Sequence, residues 1–235
     1  MILLANSDCA DSMKLILAMD LKAGEVVHGA SGNRDTYRPL TWGLSSTADP
    51  VGYLEQLSPR HLYVADLDRI MGNGDHRSQV VTCSSLVETC YLDRGCRGPQ
   101  DYLHEPRITD VAATETSDAD LSTYPDGYLS VDVRSGRVMP SGEDPRLLLR
   151  NAGDWHFEGA LILNVGAVGT GGGIIPLSLA GLRAAYDKPL LYGGGVASPA
   201  DLDMLVALGF DGAIIATAIH RGTIPLEDLR RGRWS

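Results

Sequence analysis

The chain has 235 residues and a formal net charge of −10, with a pI near 4.9. That balance opposes nonspecific binding to nucleic acid or to an anionic membrane surface, since both need clustered positive charge. Hydrophobic residues make up 44% with only two Phe, which promises a sizeable core of aliphatic side chains.

From the N-terminus, residues 1–5 are apolar, but Asn6, Ser7 and Asp8 end the run, so neither a secretory signal nor a membrane span is expected. Strand-length apolar runs then recur at 15–19, 62–65, 87–92, 110–113, 128–133, 160–165, 190–192 and 213–216. Helical patterns fall between and after them at 50–57, 76–85, 99–104, 119–123, 145–151, 177–186, 199–208 and 225–229. Several of these carry Pro in the first turn behind a Ser or Asp. Strands alternating with helices call for parallel pairing through right-handed crossovers. Eight such units close naturally into a barrel, although an open doubly wound sheet fits the alternation too. Cys9, Cys83, Cys90 and Cys96 form no Cys-x-x-Cys pair and have no His at zinc spacing. Reduced thiols in a cytoplasmic protein follow, with no structural metal.

Internal repeats separate barrel from open sheet. Asp20-Leu21-Lys22-Ala23-Gly24-Glu25-Val26-Val27 returns as Asp132-Val133-Arg134-Ser135-Gly136-Arg137-Val138-Met139, an offset of 112 residues. The stretch from Asp93 to Asp101 matches that from Gly193 to Asp201 at an offset of 100, sharing Gly, Pro and Asp positions. These matches pair the first strand with the fifth and the third with the seventh. The expected fold is therefore a single TIM (β/α)8 barrel over residues 1–235, built from half-barrels at about 13–126 and 127–235.

With lysine only at positions 14, 22 and 188, an anionic ligand has to be held largely by backbone N–H groups, which makes glycine placement informative. Gly193-Gly194-Gly195 follows the seventh strand, and Ala216-Thr217 ends the eighth; barrels often bind phosphate with these two loops together. The duplicate turn offers Gly95 and Arg97, with Thr114 echoing Thr217, as a second anion site, so the ligand would carry two phosphates. Two tight turns chosen for packing are the alternative. Asp20 and Asp132, at duplicated strand ends, are the acid–base candidates. The stretch from Val165 to Gly173 reads either as a ligand-covering loop, with Thr170 supplying a hydroxyl, or as a plain connector. His28 and Lys22 complete the candidates near the mouth, a surface position for His28 fitting equally well. Asp66 and Asp68 read as loop-positioning residues.

These motifs resemble the histidine-biosynthesis barrel superfamily, which includes the phosphoribosylformimino-aminoimidazole-carboxamide ribotide isomerase and the cyclase subunit of imidazole glycerol phosphate synthase. The similarity runs from about Leu15 to Leu229 and is sharpest from Met19 to Val27, Tyr63 to Asp68, Leu129 to Asp132 and Gly193 to Ala218. It implies a half-barrel duplication, a small-molecule substrate carrying two phosphates and an Amadori rearrangement of an aminoaldose to an aminoketose in histidine or related amino-acid biosynthesis. Asp20 would be the general base and Asp132 the general acid that opens the sugar ring, with no metal or organic cofactor. Val26-Val27-His28-Gly29 and Ala216 to His220 resemble the cyclase instead, which would imply ammonia and a glutaminase partner. A non-catalytic barrel that binds a phosphorylated metabolite is a third reading. Asp93-Arg94-Gly95 stands where the family carries a triple glycine, and Val168-Gly169-Thr170 where it carries Asp-Gly-Thr. Both departures mark a divergent member.

Overall fold

A computed structural model describes residues 12–29, 32–170, 173–174 and 178–235. The chain opens with strand β1 (Met13–Lys22), which turns back into β2 (Glu25–His28) and a short β3 (Arg38–Pro39). Helix α1 (Pro50–Leu57), strand β4 (His61–Asp66), and helices α2 (Leu67–Met71) and α3 (Arg77–Ser84) follow, then strands β5 (Thr89–Asp93), β6 (Ile108–Ala113), β7 (Tyr128–Arg134) and β8 (Arg137–Val138). The second half continues through α4 (Pro145–Ala152), β9 (Gly159–Asn164), α5 (Leu179–Arg183), β10 (Leu190–Gly193), α6 (Pro199–Ala207), β11 (Gly212–Ile215), α7 (Thr217–His220), α8 (Leu226–Arg231) and β12 (Arg233–Trp234).

Strands β1, β4, β5, β6, β7, β9, β10 and β11 pair in parallel in that order, and β11 returns to β1 with Lys14 opposite Gly212. That closing pair makes the sheet a TIM barrel and rules out the open alternative. Among the described residues, no helix is long and apolar enough to cross a membrane.

Strand periodicity splits the core in two. Ile16, Tyr63, Tyr91, Val111, Tyr128, Leu161, Leu191 and Ile214, one from each barrel strand, fill the interior. Their odd-numbered neighbours on β1, Leu15, Leu17, Met19 and Leu21, face the helices instead. Asp20 lies four residues beyond Ile16, Asp93 two beyond Tyr91 and Asp132 four beyond Tyr128, so the same alternation turns all three carboxylates inward at the C-terminal strand ends.

The duplicated sequences adopt duplicated conformations. The β1–β2 hairpin turns at Ala23 (φ 52°) and Gly24 (φ 81°), and the β7–β8 hairpin at Ser135 (φ 51°) and Gly136 (φ 76°). Two consecutive residues with positive φ form the tight turn that matches strand twist. Lys22 opposite Glu25 and Arg134 opposite Arg137 preserve the register across the offset. Likewise the Arg97 N–H donates to Asp101 Oδ2 at 2.7 Å, as the Ala197 N–H donates to Asp201 Oδ2 at 2.9 Å.

Two expected helices, at 99–104 and 119–123, are single 3-10 turns, Pro99–Asp101 and Leu121–Thr123. Aromatic side chains cover that flank of the barrel instead. Tyr102 lies 5.4 Å from Tyr124, which stacks on Phe157 at 5.9 Å, so full helices are not needed to bury the strands. Elsewhere the caps act as read: Asp49 accepts from the Gly52 N–H, Asp144 from the Arg146 N–H, and Ser198 forms a capping box with Asp201. The expected start of the helix at 177 lies outside the described residues, as do the N-terminal segment and Cys9.

Candidate active site

Beyond the interior plug of β-strand side chains, a cavity of about 120 Å³ opens at the C-terminal ends of the strands. The first half contributes Asp20, Arg34, Tyr63 and Asp93 to its wall; the second contributes Gly194, Gly195, Ala216 and Thr217. Asp20 and the glycine turn after β10 are thus brought to one space.

Asp20 is half-buried, and no described residue donates a hydrogen bond to its carboxylate. Burial pushes its pKa up to about 7; Arg34 opposes the rise and Asp93 adds to it. Arg34 itself is clamped, its guanidinium donating to both oxygens of Glu115 at 3.0 and 2.7 Å. Lys22 Nζ donates to the Arg34 carbonyl at 2.7 Å. Lys22 therefore fixes the loop that carries Arg34, and it does not line the cavity.

Asp132, the other acid–base candidate, is not presented beside Asp20. It is 1% exposed and does not line the cavity. Ser130 Oγ donates to Oδ1 at 2.8 Å, while Thr114 Oγ1 and the Glu115 N–H donate to Oδ2 at 3.3 and 3.0 Å. Burial, then the neighbouring Asp93, raises its pKa to about 7. The carboxylate that reaches the wall beside Asp20 is Asp93. Tyr63 Oη donates to Asp93 Oδ2 at 3.2 Å, and the Gly95 N–H to Oδ1 at 3.0 Å. Burial raises the Asp93 pKa as well. Asp20, Asp93 and Asp132 all push the Tyr63 phenol further above its ordinary range, which burial has already raised.

The groups expected at the second anion site are not presented to the cavity. The Gly95 amide is taken by Asp93, and the Thr114 hydroxyl by Asp132. Arg97 donates to the Thr116 carbonyl at 3.0 Å and sits 3.8 Å from Asp118. The turns after β10 and β11 differ. Gly193 ends the ladder, and Gly194 (φ 95°) and Gly195 (φ 92°) have conformations that favour glycine. A Cβ at Gly194 would run into the Asn164 carbonyl oxygen, and one at Gly195 would lie 2.6 Å from that of Gly173. Ala216 caps α7 without a side-chain hydrogen bond. The N–H groups of Gly195 and Thr217 find no acceptor among the described residues.

Thr170 is exposed, and its hydroxyl donates to the Ala167 carbonyl at 2.9 Å. The preceding Val168 and Gly169 line the cavity; Gly171 and Gly172 lie outside the described residues. His28 borders a smaller adjoining cavity of about 70 Å³ together with Tyr53, His220, Asp20 and Thr217. Burial, then Arg221, lowers the His28 pKa, and burial brings that of His220 down to about 4. Trp42 meets both imidazoles edge-on at 5.1 and 5.5 Å. Asp66 accepts the Arg69 and His76 N–H groups, and Asp68 accepts that of Ala23, so both anchor loops outside the cavity. Among the described residues no group of three or more His, Cys, Asp or Glu is placed to hold a metal ion.

The family model described as histidine biosynthesis protein matches residues 116–225, a stretch that contains Asp132 and both second-half turns. An isomerase from Thermus thermophilus, named for 1-(5-phosphoribosyl)-5-((5-phosphoribosylamino)methylideneamino) imidazole-4-carboxamide, is 30% identical over 237 residues, 92% of this chain and 98% of that protein. The chain belongs to the histidine-biosynthesis barrel family. A family member of the same isomerase name from Halobacterium salinarum is 26% identical over 240 residues, 94% of this chain and 97% of the other. An uncharacterized protein from Methanocaldococcus jannaschii is 30% identical over 226 residues, 92% and 97% of the two chains.

Sequence reasoning missed Asp93, Tyr63, Arg34 and Glu115. Asp93 was legible only as the loss of a family glycine, and Tyr63 only through strand alternation. Nothing local in the sequence marks the Arg34–Glu115 contact, which joins residues 81 apart.

Proposed function

We propose that the protein is an aldose–ketose isomerase that carries out an Amadori rearrangement on a phosphorylated aminosugar. The observation that carries this reading is Asp20, a carboxylate with no hydrogen-bond donor among the described residues, raised to about 7. It lines the same cavity as the turn at Gly194, Gly195, Ala216 and Thr217, where the Gly195 and Thr217 N–H groups find no acceptor among the described residues. The turn holds the sugar phosphate through backbone N–H groups, which fixes the sugar carbons relative to Asp20.

The rearrangement then follows from proton positions. Protonation of the ring oxygen breaks the bond to C1 and leaves a C1–nitrogen iminium. Asp20 takes the C2 proton, the electron pair moves into a C1–C2 double bond and the nitrogen becomes neutral. Protonation at C1 and loss of the C2 hydroxyl proton yield the ketose. The ring-opening proton comes from the Asp93–Asp132 pair. Two neighbouring buried carboxyls do not ionise together readily, and Asp93 is the member at the wall. A base with a pKa near 7 retains proton affinity while being substantially ionised at neutral pH. The named isomerases among the relatives support the same reaction class.

The test is a reaction in D2O with N-substituted 5-phosphoribosylamines, followed by NMR. Loss of the C2 hydrogen with deuterium appearing at C1 of a ketose product is expected, and Asp20→Asn should slow it by about a hundredfold or more. Binding without any exchange would overturn the reading in favour of a non-catalytic barrel.

A further inference from the structure

We infer that the ligand carries one phosphate and not two, because Asp93 and the carboxylate network at the ends of β5, β6 and β7 fill the place where a second would sit. The inference rests on the phosphate-anchored reading above and narrows its substrate class.

The two halves of the barrel offer an internal control. At the offset of 100, Asp93, Arg94 and Gly95 correspond to Gly193, Gly194 and Gly195, and Thr114 echoes Thr217. In the second half, the Gly195 and Thr217 N–H groups have no described acceptor. In the first half, each equivalent donor is already committed to an acceptor of the protein, most of them carboxylates. The Gly95 N–H donates to Asp93. The Thr114 hydroxyl and the Glu115 N–H donate to Asp132, and the Thr114 N–H donates to the Ser130 carbonyl at 2.9 Å.

The nearby cations are committed as well. Arg34 is held by Glu115, Arg94 pairs with Asp75 and is 8% exposed, and Arg97 faces Thr116 and Asp118. A dianion entering here would displace carboxylates from their donors and meet Asp93, Asp132 and Glu115 at close range. Water is a better solvent for it. A ligand end rich in hydrogen-bond donors, an amine or hydroxyls, suits the same wall, because Asp20 and Asp93 both present carboxyl oxygens to the cavity. Asp93 is thus a specificity-determining residue. Its replacement of the first turn glycine converts an anion cradle into an acceptor surface.

The names of the Thermus and Halobacterium relatives contain two phosphoribosyl groups, which supplies the probe. Calorimetric titration of the full chain compares that doubly phosphorylated ribotide with the two monophosphates made from it by removing either terminal phosphate. Expected is at least one monophosphate that binds as tightly as the parent or more tightly. A Kd raised by about threefold or more for both monophosphates overturns the inference and leaves the phosphate-anchored reading intact. If neither the three compounds nor ribose 5-phosphate binds, the anchored reading falls, and this inference with it. In Asp93→Gly, which releases the Gly95 N–H, the doubly phosphorylated compound should gain about tenfold over its monophosphates. Should that variant not fold, the wild-type comparison decides alone.

Discussion

At the scale of single residues, Asp20 couples the proposed reaction to stability. A carboxyl with a pKa near 7 in the folded chain and about 4 in the unfolded one holds its proton more tightly when folded. Stability therefore falls as pH rises between those values and levels off above 7. Asp20→Asn removes the ionised form, so it should raise stability by up to about 4 kcal/mol at pH 8 and by little at pH 4, read by urea unfolding. The wild-type rate should rise with pH as Asp20 ionises and fall again as the Asp93–Asp132 pair gives up the proton that opens the ring, a bell-shaped profile. Gly194→Ala combines a positive φ with a clash against the Asn164 carbonyl. It should cost about 2 kcal/mol or more in the same unfolding assay and weaken phosphate binding. The sequence revealed Asp20 and the glycine turn because strand ends and glycines carry local signals. It did not reveal that Asp132 is enclosed, since the donors that cover it come from Ser130 on β7 and from Thr114 and Glu115 just beyond β6.

At the scale of elements, the two hairpins show why the repeat was readable. A turn with positive φ at two successive positions restricts which residues can occupy it, so Ala23-Gly24 and Ser135-Gly136 keep a recognisable pattern. The helices expected after the third and fourth strands were misread for the opposite reason. Burial there is done by Tyr102, Tyr124 and Phe157, whose contact depends on tertiary placement and leaves no periodic trace. The Arg34–Glu115 pair ties the loop after β2 to the end of β6 with both side chains 25% exposed. A double-mutant cycle with Arg34→Ala and Glu115→Ala should give a coupling of about 1 kcal/mol. A coupling near zero would remove the clamp from the description of the mouth.

At the scale of the whole molecule, closure between β11 and β1 brings residues nearly 200 positions apart to one rim, so Asp20 and Thr217 share a wall. Alternation of strand and helix made the barrel legible, and the repeat offsets selected it over an open sheet. Composition alone could not. Closure also buries Cys83, Cys90 and Cys96, and burial raises each thiol pKa. These three should resist a thiol reagent in native buffer and react together on unfolding, which a timed labelling experiment with mass spectrometry would show. Early reaction of one would locate a local opening. The central claim is that the fold holds at the cavity wall a carboxyl, Asp20, that has no hydrogen-bond donor among the described residues and is raised toward the pKa the proposed base needs. A carboxyl carbon NMR titration of Asp20, with Asp20→Asn to assign the signal, tests it most directly. A midpoint near 7 is expected, and one near the ordinary aspartate value, about 4, would contradict it.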